Sequence, residues 1–153
     1  MLNMIPSVNT ASQSSVMPAL SEISWDNDYF TGNHHLDDAF GSVFACYDDF
    51  RICVCIAEYN SHITRSLTCL AEAFDSAFLT EQRLLACSEY QSSNHHIKLH
   101  DDILNKLWLA ITLSRHGVVN EIEIATIFTD WVLIHLAGLD RIYVGTADFE
   151  SEI

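Results

Sequence analysis

From Trp25 onward the chain carries no proline and few glycines, and its apolar residues recur every three or four positions rather than every two. Proline breaks helices, and a 3.6-residue period gives one apolar face, so the pattern predicts long amphipathic helices. Four can be drawn. The first runs from Asp37 to Glu58, with Leu36, Phe40, Val43, Phe44 and Tyr47 at helical spacing. The second covers Ser61 to Glu89 and carries Leu67, Leu70, Phe74, Phe78, Leu84 and Leu85. The third spans Ser93 to His116 with Ile103, Leu104, Leu107, Trp108 and Ile111, and Gly117 can take the left-handed conformation that ends it. The fourth starts at Asn120, where Asn120-Glu121-Ile122-Glu123 reads as a capping box, and continues through Ile124, Phe128, Trp131 and His135 to Gly138.

Four such helices with short connections predict an all-α fold, an antiparallel up-and-down four-helix bundle. No repeat period and no strand-like alternation compete with it. Residues 1–24 hold both prolines, Pro6 and Pro18, and have no sustained period, so they read as a flexible N-terminal arm. The bundle then occupies residues 25–147 and a C-terminal tail residues 148–153.

Several polar residues interrupt the apolar faces. His96 and His100 share a face with Ile103, Leu107 and Ile111, whereas His95 points about 100° away and reads as solvated. His135 lies on the stripe of Ile124, Phe128 and Trp131, and Asp140 follows just past Gly138. Glu81 comes one turn after Ala77 and Phe78. In an antiparallel bundle the start of the third helix is level with the ends of the second and fourth. Three imidazoles and two carboxylates then fall in one layer. A lone histidine on an apolar face is usually a hydrogen-bonded core residue, and HxxxH alone is a weak signal. Five such groups in one layer are different, because burying them unpartnered is costly and a bound cation offsets that cost.

Composition sharpens this picture. Against 21 Asp and Glu stand 7 Lys and Arg, a net charge of −14 over 153 residues. Such a surface repels phosphate backbones and anionic lipid, so neither nucleic acid nor membrane is an expected partner. The length suits one domain. The five cysteines form no CxxC pair and read as reduced thiols. No positive residue precedes Arg51, residues 1–25 lack a signal-peptide core, and no run approaches the ~18 apolar residues of a membrane span. A cytoplasmic location is expected.

Four segments also carry a family resemblance. Trp25, Tyr29-x-Thr31-Gly32 and Leu36-Asp37 look like a lead into a first helix. Phe78-x-x-Glu81-Gln82-x-Leu84-Leu85 is similar to HFxxEExLM, and Tyr90 followed by His96-x-x-x-His100 to YPxxxxHxxxH. Trp131-x-x-x-His135-Leu136-x-x-x-Asp140 is similar to WxxxHIxxxD. From Trp25 to about Tyr143 the chain thus resembles the hemerythrin family, particularly its bacterial hemerythrin-like domains. That resemblance implies a di-iron centre that binds dioxygen reversibly, one iron held by three histidines and the other by two, with a Glu and an Asp bridging. By position, His96, His100 and His135 would be the three-histidine set and Glu81 and Asp140 the bridging carboxylates.

Two departures change what the resemblance implies. The family's IDxQH motif reads Leu36-Asp37-Asp38-Ala39-Phe40 here, and Ala77 precedes Phe78 where the family has histidine. Both histidines of the two-histidine iron are therefore replaced. His35 is poorly placed to substitute and His62 is too distant; Asp37 reads as a carboxylate favoured by the helix dipole. The expectation is a single divalent ion, iron first and Mn or Zn also compatible, on His96, His100, His135, Glu81 and Asp140. One reading is a mononuclear non-haem metalloenzyme with a small apolar pocket at Phe40 and Ala77, acting on a small molecule or dioxygen, with Glu81 or Asp140 as candidate base. Filling of that pocket by Phe40 and its neighbours would instead leave a closed structural site. The alternatives are a non-enzymatic oxygen or metal sensor and a di-iron oxygen binder with substituted ligands.

Overall fold

The structure, a computed structural model, describes residues 23–56, 59–87 and 94–140, without the side chains of Asn27 and residues 137–140. The expected tail, nearly all of the expected arm, the helix bounds at Glu58, Glu89 and Ser93, Tyr90 of the family motif and the Asp140 carboxylate lie outside the described residues.

All described secondary structure is helical. A 3-10 turn at Asn27–Tyr29 precedes α1 (His34–Cys55), α2 (Asn60–Ala86), α3 (Asn94–Ser114) and α4 (Glu121–Asp130). The chain then continues without a break as a π-helix, Trp131–Asp140, since Trp131 itself keeps helical dihedrals.

The helix ends follow from local chemistry. Asn33 is extended, and its side chain accepts a hydrogen bond from the Leu36 N–H at 3.1 Å. That cap starts α1 at His34, three residues before the expected Asp37. Asp37 instead ties down the lead-in turn: its Oδ1 accepts from the Thr31 N–H and hydroxyl, both at 2.7 Å. Gly32, at φ 89°, gives the turn its left-handed residue. Gly117 ends α3 as expected, at φ 79°. Its N–H donates to the Ser114 carbonyl, and that of Val118 to the Leu113 carbonyl. Asn120 caps α4 by accepting from the Glu123 N–H at 3.2 Å. The box closes side chain to side chain, Asn120 Nδ2 donating to Glu123 Oε2.

The apolar faces meet in one aromatic core. Tyr47 of α1 stacks on Phe128 of α4 with centroids 3.8 Å apart, and Phe44 meets the same ring edge-on at 5.0 Å. Trp131 is enclosed by Phe40 of α1 at 5.6 Å and Phe74 of α2 at 5.0 Å. Helix α2 packs against both α1 and α3. The Thr64 and Ser114 hydroxyls, 2.8 Å apart, join the start of α2 to the end of α3. One expected core residue is misplaced by the sequence reading: Trp108 is 44% exposed. It stands a further ~100° round from Leu107, beyond the face that Leu107 and Ile111 bury. Among the described residues, no helix is long and apolar enough to cross a membrane.

These contacts set a stability ranking. Phe128→Ala should cost roughly 3–5 kcal/mol in urea unfolding, as expected of a buried aromatic truncation. Gly117→Ala should cost about 1–2 kcal/mol, because a Cβ is disfavoured at its positive φ. Trp108→Ala should cost no more than about 1 kcal/mol; a loss equal to that of Phe128→Ala would contradict this packing.

Candidate metal centre

The core stripes of α2 and α3 each carry polar groups toward one end. On α2, Ala77 and Phe78 lead to Glu81, and on α3 the stripe of Ile111 and Leu107 continues to His100 and His96. The π-helix contributes His135, one turn after Trp131. All four groups are buried, Glu81 with only 3% of its surface exposed.

They converge tightly. Glu81 Oε1 lies 2.7 Å from His96 Nε2, and Oε2 lies 3.3 Å from His100 Nε2 and 3.6 Å from His135 Nε2. The Nε2 atoms of His100 and His135 are 2.9 Å apart. One potential ligand atom from each of the four residues falls within 4.8 Å of all the others. The three imidazoles thus approach one carboxylate at 2.7–3.6 Å. Three imidazole nitrogens crowded on one carboxylate, two of them 2.9 Å from each other, are an arrangement suited to groups gathered around a common centre.

The electrostatics point the same way. Burial raises the Glu81 carboxyl, but the imidazoles of His100, His135 and His96 outweigh it and hold the group well below the usual carboxylate range. Burial pushes His135 below its ordinary value, opposed by Glu81. A carboxylate among three imidazoles is a donor set of mixed oxygen and nitrogen, of the kind that suits Fe(II), Mn(II) or Zn(II).

Of the expected ligands, Glu81, His96, His100 and His135 are brought together, while the Asp140 side chain lies outside the described residues. His95, His35 and His62 are exposed. Phe40 and Ala77 are both fully buried, and Phe40 packs its ring against Trp131. Two neighbours of the cluster have roles that their sequence motif does not reveal. Phe78 lies flat on His100, centroids 3.8 Å apart and planes 5° from parallel. Gln82 Nε2 stands 3.5 Å from His100 Nδ1. Phe78 falls three residues before Glu81, so helical spacing alone could have placed it beside the site. A cavity of about 700 Å³ also opens between α3 and α4, with Leu99, Ile103, Ile127, Trp131, Ile134 and His135 in its wall. Comparison with family models, curated proteins and solved structures finds no match for the chain.

The two shifts give the metal-free protein an acid-labile fold. Both folded-state values lie below the unfolded ones, so the unfolded chain takes up protons first as pH falls. Stability from His135 is intact above its ordinary value of 6.5 and is lost below it; that from Glu81 is lost below 4.5. The melting temperature of apoprotein should therefore fall between pH ~7 and ~4. Glu81→Gln should remove the lower part of the fall. A flat profile across this range would contradict the burial of both groups.

Proposed function

We propose that the chain is a hemerythrin-like protein, an antiparallel up-and-down bundle that holds one divalent metal ion, iron by preference, for binding or transforming a small molecule or dioxygen. The observation that carries this reading is the buried convergence of Glu81, His96, His100 and His135 on a centre less than 5 Å across. The bundle topology is supported by α2 and α3, whose cross-links pair Thr64 with Ser114 near one end and Glu81 with His96 near the other. Free thiols at all five cysteines support a reducing, cytoplasmic setting.

Glu81 through an oxygen and the histidines through Nε2 would hold the ion, with Asp140 as the fifth candidate. Bound there, iron would supply Lewis acidity and a one-electron couple to a ligand in a remaining position. The rest is work for the chain. Phe78 fixes the plane of the His100 ring. Gln82, with its amide oxygen turned to Nδ1, would accept that proton and leave the Nε2 lone pair for the ion. Glu81 or Asp140 would take a proton from the bound molecule. A count of one follows from Phe40 and Ala77, which offer no donor where the family's second iron finds its histidines. Reversible storage of dioxygen as peroxide draws an electron from each of two irons, so a single-iron site favours binding, sensing or activation over carriage.

Metal analysis of purified protein should find one ion per chain; two would overturn the mononuclear reading. His100→Ala should weaken binding at least ~100-fold, more than the loss of an outer-sphere partner brings, and unchanged occupancy would refute this ligand set. Saturating metal at ~100 times its dissociation constant should stabilise the fold by about 2.7 kcal/mol, read as a rise in melting temperature that a chelator reverses.

A further inference from the structure

The cavity between α3 and α4 has a character of its own. Its volume of about 700 Å³ is that of a site for a drug-sized molecule rather than for a diatomic gas. Its floor is apolar and buried, made by Ile127 and Trp131, and its deep end reaches His135. Ile122 and Ile134 extend the apolar wall outward, 68% and 62% exposed, and their burial would favour an occupant with a hydrocarbon body. The charged residues in the wall are Asp102, Glu123 and Asp130 against the single Lys106. Glu123 accepts a hydrogen bond from Asn120 Nδ2, and Asp102 on α3 and Asp130 on α4 stand in the lining as further carboxylates for an occupant.

Charge selects among the candidate occupants. An anionic amphiphile would meet an excess of carboxylate in the wall and a chain of net charge −14. A second copy of the chain would bring the same charge to the same surface. An organic cation meets attraction at both levels. We propose that the α3–α4 groove binds a small amphipathic amine, its apolar body against Ile103, Ile127, Trp131 and Ile134 and its ammonium group at Asp102 and Asp130. The groove is formed by protein side chains alone, and the binding proposed does not depend on the metal reading.

The test is calorimetric titration of the full chain with octylamine, octanoate and 1-octanol, before and after chelator treatment. Octylamine should bind saturably and more tightly than octanol, octanoate should be weakest, and added salt should narrow the difference. The double variant Asp102→Asn/Asp130→Asn, both exposed positions, should weaken octylamine roughly tenfold and leave octanol unchanged. Metal content should be the same in the double variant, so loss of amine binding is separable from loss of the metal cluster. Equal binding of octylamine and octanoate, no saturable octylamine binding, or a double variant that binds octylamine like the parent would each overturn the proposal.

Discussion

A carboxylate taken out of water must be met by positive charge or by donors, and Glu81 is nearly wholly out of water. Much of the molecule can be read as the answer to that constraint. Two turns of α3 supply His96 and His100, and the π-helix supplies His135. Three nitrogens crowd two oxygens at 2.7–3.6 Å, yet the Nε2 atoms of His100 and His135 stand only 2.9 Å apart and cannot both carry a proton on the line between them. A cluster of this kind holds its charge balance with a cation at the centre more readily than with protons shuffled among imidazoles. The helices are held in register by the aromatic core, above all by Trp131, which belongs at once to the core and to the helical turn that presents His135.

The sequence makes some of this legible and hides the rest for identifiable reasons. The three-and-four spacing from Leu36 to Phe128 announces the helices, and Gly117 and Asn120 announce two of their ends. The four clustered side chains are legible because each lies on an apolar stripe where a charged or imidazole group is out of place. Trp108 misleads because Trp next to Leu107 looks like core, while its direction is set by only ~100° of rotation. The groove is not legible at all: it depends on the gap between α3 and α4, and a stripe pattern says which face is apolar but not how closely two faces meet.

Under the proposed hemerythrin-like reading, the same residues explain why the motifs are kept at some positions and lost at others. Spacing is kept at His96, His100, His135 and Asp140, and lost at Phe40 and Ala77. Both positions are fully buried, and the Phe40 ring packs against Trp131. Aromatic packing of that kind needs no ion, whereas a buried carboxylate carries a desolvation cost that its neighbours must offset. The core and the cluster therefore divide the labour of the bundle, the first supplying stability and the second a chemical address.

The π-helix has a geometric consequence. Its turns are wider than those of an α-helix, and it covers all ten residues from Trp131 to Asp140. Glu81, His96 and His100 ride on regular α-helices, whereas His135 rides on the wider one. Trp131 opens that wider helix, so the backbone that presents His135 is anchored in the aromatic core, and the fourth member of the cluster inherits its position from the core itself.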